Sequence, residues 1–106
     1  MDDWIEIGFV EDIPSLGSRV VQAMGESIAV FRTAGNEIFA LLDKCPHKGG
    51  PLSQGIVHGK RVTCPLHNLI LDLSEGKAVP PDEGCVLTYP VKIEEGKVWI
   101  SLSGSR

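Results

Sequence analysis

An all-β fold of short antiparallel strands is what this chain predicts, and three observations carry the expectation. Turn formers are dense, with 12 glycines and 7 prolines among 106 residues, which favours many short elements over a few long ones. Alternating and β-branched runs recur, separated by Gly-, Asn- and Lys-containing turns. No window holds a helical period. The closest, residues 11–16, is broken by Pro14, which lacks a backbone N–H.

Taken in order, residues 19–24 (RVVQAM) and 28–32 (IAVFR) read as a hairpin around Gly25-Glu26. Residues 37–42 (EIFALL) follow the turn Ala34-Gly35-Asn36. Residues 56–57 and 61–63 form a tighter hairpin around Gly59-Lys60. Residues 70–73 lead into the turn Ser74-Glu75-Gly76-Lys77. Residues 86–89 and 91–93 come next, and 98–102 closes the chain after the Glu95-Gly96 turn. These make eight or nine strands in a small sandwich or barrel. Trp4 and Trp99 read as packing anchors.

A chain of 106 residues suits one domain, 1–106, with one modest core. The net charge is −4 and no Lys/Arg-rich run occurs, so no nucleic-acid partner is expected. No apolar stretch approaches the roughly 20 residues that span a bilayer, so no membrane partner is expected either. The start, MDDWIEIGF, is acidic and has no basic-then-apolar leader pattern. A cytoplasmic location is the expectation. Three cysteines without an export signal argue for metal binding or catalysis rather than a disulfide framework.

The stretch 44–70, KCPHKGGPLSQGIVHGKRVTCPLHNLI, holds two of the three cysteines and all three histidines. Cys45 and His47 are one residue apart, Cys64 and His67 two, and sixteen residues lie between the pairs. On the strand assignment both pairs fall on loops, held side by side by the hairpin between them. Four such ligands can close one metal site. A structural zinc takes two Cys and two His, but its usual knuckle pairs two cysteines. A Rieske 2Fe–2S centre, in which two His replace two Cys on one iron, suits mixed knuckles. Each loop then sends its Cys to one iron and its His to the other.

The flanking residues have their own reasons. Gly49-Gly50 gives backbone freedom and exposes N–H donors, which raise a cluster's potential when aimed at sulfur. Pro46 and Pro65 each follow a ligand cysteine and fix φ. Pro51-Leu52 is expected to form an apolar cover. His58, before Gly59, reads as a solvated turn histidine, and Cys85, without a partner at ligand spacing, as a small core or turn residue. No nucleophile–base arrangement or phosphate loop is present, so no catalytic residue is assigned.

The stretch CPHKGGPLSQGIVHGKRVTCPLHNLILDL resembles the cluster signature of Rieske-type ferredoxins. The resemblance implies a three-sheet β-sandwich with the cluster at an exposed tip and a cluster-binding part at about 44–72. It also implies Cys45 and Cys64 on one iron and His47 and His67 on the other. High-potential Rieske proteins carry two further cysteines at the positions of Gly50 and Leu66, and Ser and Tyr donors at those of Leu69 and Leu71. Their absence implies a lower potential.

KGGPLSQGIVHGKRVTCPLHN and DLSEGKAVPPDEGCVLTYPVKIEEGKVWI further resemble small subunits of assimilatory NAD(P)H-dependent nitrite reductase, over nearly the whole chain from Trp4 to Leu102. That resemblance implies a large-subunit partner carrying FAD, an iron–sulfur cluster and sirohaem, which reduces nitrite to ammonium. This chain would then be an electron carrier without its own substrate site. Some small subunits of that family lack the ligands; here all four are kept, which favours a redox role. Two alternatives stay open: a freestanding ferredoxin for an aromatic-ring dioxygenase, and a zinc-stabilised interaction domain. Finally, residues 44–71 carry Lys44, Lys48, Lys60 and Arg61 and no acid. A positive cluster end, able to steer toward an acidic partner patch, is the expectation.

Overall fold

Eleven antiparallel strands make up the computed structural model, which describes residues 4–23, 25–44, 50–64, 69–80 and 83–102. They are β1 (Trp4–Phe9), β2 (Gly17–Ala23), β3 (Glu26–Arg32), β4 (Ile38–Leu42), β5 (Ile56–His58), β6 (Arg61–Thr63), β7 (Ile70–Asp72), β8 (Lys77–Ala78), β9 (Thr88–Tyr89), β10 (Val91–Glu94) and β11 (Lys97–Ser101). Three sheets result, ordered β1-β11-β10, β2-β3-β4-β9 and β5-β6-β7-β8. Short 3-10 turns occupy Val10–Asp12 and Leu52–Gln54. The all-β, three-sheet expectation stands.

The middle of β3 reads IAVF, with no polar residue at alternate positions, and such a strand must bury both faces. Ile28, Ala29, Val30 and Phe31 are all 0% exposed. Alternation sends them to two different cores. Ile28 and Val30 join Ile7, Ile13, Val98 and Ile100, on the side of the β1-β11-β10 sheet. Ala29 and Phe31 join Leu52, Val62, Cys64, Leu69 and Leu71, on the side of the β5–β8 sheet. β4 divides the same way, with Ile38 and Ala40 in the first core and Leu41 in the second.

Two strands escape the sequence reading. β1 (WIEIGF) pairs with β11 at the opposite end of the chain, so no hairpin turn marks it. β8 is only two residues long. The stretch read as one strand over 86–89 begins only at Thr88, for a physical reason. The Val86 N–H donates to the Gly76 carbonyl at 2.8 Å, whereas the Leu87 carbonyl accepts from the Leu42 N–H at 2.9 Å. The segment leaves one sheet and joins another within two residues. Trp4 and Trp99 are half-buried and lie under the Lys92 ammonium, 4.6 and 5.7 Å from the ring centroids.

That crossing depends on Gly76. Its φ is +69°, and a Cβ there would lie 2.6 Å from Thr88 Cγ2 and 2.7 Å from the Val86 carbonyl oxygen. Gly59 shares the left-handed backbone, at φ +59°, but faces open space. Urea unfolding should separate the two. Gly59→Ala is expected to lose about 1 kcal/mol from backbone strain alone. Gly76→Ala is expected to lose about 2–4 kcal/mol, because steric overlap adds to the strain. Equal losses would contradict the packing role of Gly76.

Candidate metal centre

The first candidate ligand loop runs from the end of β4 to the 3-10 turn before β5, and the second joins β6 to β7. Cys45, His47 and His67 lie outside the described residues, as do Pro46, Lys48, Gly49, Pro65 and Leu66. Cys64 and the feet of both loops are described. Cys64 directly follows β6 and is 0% exposed. Its N–H donates to the Leu69 carbonyl at 2.7 Å, which extends the β6–β7 pairing Arg61↔Asp72, Val62↔Leu71 and Thr63↔Ile70 by one step. The two described feet of the second loop, Cys64 and Leu69, are therefore held together by the β6–β7 pairing.

The first loop is closed by a side chain. Asp43 follows β4, and Ser53 sits in the 3-10 turn Leu52–Gln54 at the loop's far foot. The Ser53 N–H donates to Asp43 Oδ1 at 2.7 Å, and the Ser53 hydroxyl donates to Asp43 Oδ2 at 2.9 Å. Between the loops, β5 and β6 pair as Ile56↔Thr63, Val57↔Val62 and His58↔Arg61. Gly55 makes the junction tight. A Cβ there would fall onto the Thr63 carbonyl oxygen and lie 2.9 Å from Val62 Cγ2.

These surroundings fit a thiolate-bound metal centre. Cys64 packs with Leu52, Val62, Leu69 and Leu71 in one apolar core. A thiolate buried there is tenable only with a compensating positive charge, which a metal ion supplies. Leu69 and Leu71 are 2% and 0% exposed. They fill their positions with aliphatic packing and offer no side-chain donor, as read from the sequence.

Other expectations need correction. Leu52 is fully buried in that core, whereas Pro51 is exposed. Cys85 is exposed in an isolated bridge to Lys77 and belongs to no core. His58 is exposed as expected, with Nε2 2.7 Å from Thr63 Oγ1. Two of the four cations in the acid-free window have acidic neighbours from outside it, and Lys48 lies outside the described residues. Lys60 Nζ lies 3.3 Å from Glu37 Oε2, and Arg61 is paired in register with Asp72. Both acids come from outside the window, Asp72 through strand pairing and Glu37 through a side-chain contact. The Asp43–Ser53 closure was missed as well, since nothing local joins residues ten apart across a loop.

A model of the Rieske-like [2Fe–2S] domain matches residues 3–101. The chain is 39% identical over 106 residues to the anthranilate 1,2-dioxygenase ferredoxin subunit of Burkholderia cepacia, covering 94% of this chain and 93% of that one. It is 37% identical over 101 residues to the ferredoxin component of the naphthalene 1,2-dioxygenase system of Pseudomonas putida, covering 94% and 96%. Among solved structures, a Mycobacterium tuberculosis chain assigned as an NADH-dependent nitrite reductase small subunit superposes with a TM-score of 0.86. That match covers 95% of this chain and 96% of the other at 20% identity, and it speaks to fold.

Asp72, at the exit of the second hairpin, gives this half a pH signature. Its Oδ1 accepts from the Ser74 hydroxyl at 2.6 Å, the Ser74 N–H at 2.8 Å and the Glu75 N–H at 3.2 Å. The Ser74 hydroxyl is the main cause holding its carboxyl below the usual range, with the Glu75 and Ser74 N–H groups and Arg61 adding to it against partial burial. A carboxyl depressed on folding stabilises the fold above its unfolded value of about 4 and loses that contribution as pH falls through the lower folded value. Asp72→Asn is therefore expected to be less stable at pH 7, by about 0.5–1 kcal/mol. The gap to wild type should narrow below about pH 4. Thermal unfolding at both pH values checks this, and a gap that widens in acid would contradict it.

Proposed function

The chain belongs to the Rieske-like [2Fe–2S] domain family, and on that footing we propose that it is the electron-transfer small subunit of an assimilatory NAD(P)H nitrite reductase. One domain over 1–106 would hold the cluster in the part at about 44–72. Cys45 and Cys64 hold one iron, and His47 and His67 the other. When bound, the cluster supplies one-electron redox chemistry. The chain's part is to fix the loops and limit water. Val57, Val62, Leu52 and Leu71 do so from below. The aliphatic positions 69 and 71 keep the potential low, as a path fed by NAD(P)H requires. Nitrite is reduced on the large subunit, which carries FAD, an iron–sulfur cluster and sirohaem, in the cytoplasm.

The observation that carries this reading is the extent of the resemblance. It continues past the ligand loops through 72–100, where Gly76 and the crossing segment 85–89 build the fold rather than bind metal. A second reading has its own support. The identities of 37% and 39% to dioxygenase ferredoxins favour a freestanding carrier that serves an aromatic-ring oxygenase. The fold and cluster suit both.

Co-expression with a sirohaem flavoprotein large subunit decides between them. Stable co-purification is expected, and His67→Cys should lower NAD(P)H-driven nitrite reduction at least tenfold. Full activity with that variant would demote the centre to a structural role. No association, together with support of ring hydroxylation by an oxygenase and its reductase, would establish the second reading. In the isolated chain, Cys45→Ser is expected to lose the two-iron content and the Rieske electron paramagnetic resonance (EPR) signal. Unchanged iron and spectrum would overturn the ligand assignment.

A further inference from the structure

We propose that Asp43 is a positioning residue for the iron centre, its carboxylate on Ser53 tying together the two feet of the loop that carries the candidate ligands Cys45 and His47. The proposal rests on the ligand reading given above. It starts from an unusual pair of bonds. Both carboxylate oxygens of Asp43 are taken by one residue, through the Ser53 N–H at 2.7 Å and the Ser53 hydroxyl at 2.9 Å. These bonds to a carboxylate are charge-assisted and directional. They join the two feet of a loop whose interior holds two of the four ligands.

The 3-10 turn Leu52–Gln54 needs such a partner. Its N-cap is Pro51, whose side chain makes no capping bond. Asp43 supplies the missing cap from ten residues upstream. Ser53 is fixed on its other side too. Its carbonyl accepts from the Ser18 hydroxyl at 2.7 Å, from β2. Asp43 is itself set in place, since its N–H donates to the Ser27 carbonyl on β3 at 2.9 Å. The clamp therefore ties the loop to two strands of the central sheet.

The clamp also reaches the second loop. Leu52, beside Ser53, is 0% exposed and shares a core with Cys64. Fixing the 3-10 turn fixes Leu52, and Leu52 is packed into the core that seats Cys64. The two ligand loops are thus referred to one rigid block rather than to each other through the metal. A site preorganised in this way holds its metal more tightly and presents one coordination geometry.

The test uses the full holo-chain and three substitutions. Asp43→Ala removes both bonds and is expected to release iron to a chelator at least tenfold faster, with broadened or shifted EPR g-values. Asp43→Asn can still accept the Ser53 N–H and donate to the Ser53 hydroxyl, without the charge. It should restore slow release and a wild-type spectrum, with a raised reduction potential. Ser53→Ala keeps the backbone bond and is expected to fall between the two, which gives a readout if Asp43→Ala does not fold. Adding Ser53→Ala to Asp43→Ala should change little more. Wild-type release and spectrum in Asp43→Ala, or losses in the double variant that simply add, would overturn the clamp. The Cys45→Ser control separates this from the ligand reading. If Cys45→Ser keeps its iron and spectrum, the ligand assignment fails; if only the Asp43 variants are silent, the clamp alone fails.

Discussion

Burial of β3 on both faces is the constraint from which the other contacts follow. A strand with Ile28, Ala29, Val30 and Phe31 all sealed from solvent cannot sit at the rim of one sheet with one face in water. It needs a layer on each side. The β1-β11-β10 sheet covers Ile28 and Val30, and the β5–β8 sheet covers Ala29 and Phe31. A register slip of one residue would exchange the two sets, placing Phe31 where Val30 packs. The pairing Phe31↔Phe39 and Val30↔Ala40 thus fixes both layers at once. The β5–β8 sheet has its position because the register of the central sheet sets which side chains it covers.

On that support, the strand pairing of the β5–β8 half is short-range. Its strands β5 to β7 have three residues each, too few to stand alone in water. They hold because Val57, Val62 and Leu71 point into the core shared with Phe31 and Leu41. The loops then need only local closure. One is closed by the Cys64 N–H on Leu69, the other by Asp43 on Ser53. Loops set on a rigid block are a common way to hold a metal or binding group.

What the sequence made legible follows the range of the forces involved. Hairpins β2–β3 and β5–β6 were legible because a Gly turn and two apolar runs lie within a few residues. The candidate donor set rests on residue types and spacing, which need no fold to be seen. β1 was not legible, since its partner β11 lies at the far end of the chain. The two-residue β8 and the sheet crossing at Leu87 were not, because backbone bonds and not side-chain patterns define them. The clamp was missed because Asp and Ser are ordinary loop residues until a 3-10 turn brings them together.

The charge distribution shows the same limit in electrostatic form. A window free of acids implies a positive surface only if its neighbours in space are its neighbours in sequence. Sheet pairing breaks that assumption at Arg61, set against Asp72, and a side-chain contact breaks it at Lys60, set against Glu37. Exposed neighbours of this kind add little stability, and they offset part of the charge of two of the window's four cations. Surfaces that serve brief electron-transfer encounters are small. On the function proposed above, the closures at Cys64 and Asp43 would serve such encounters by placing the loops accurately.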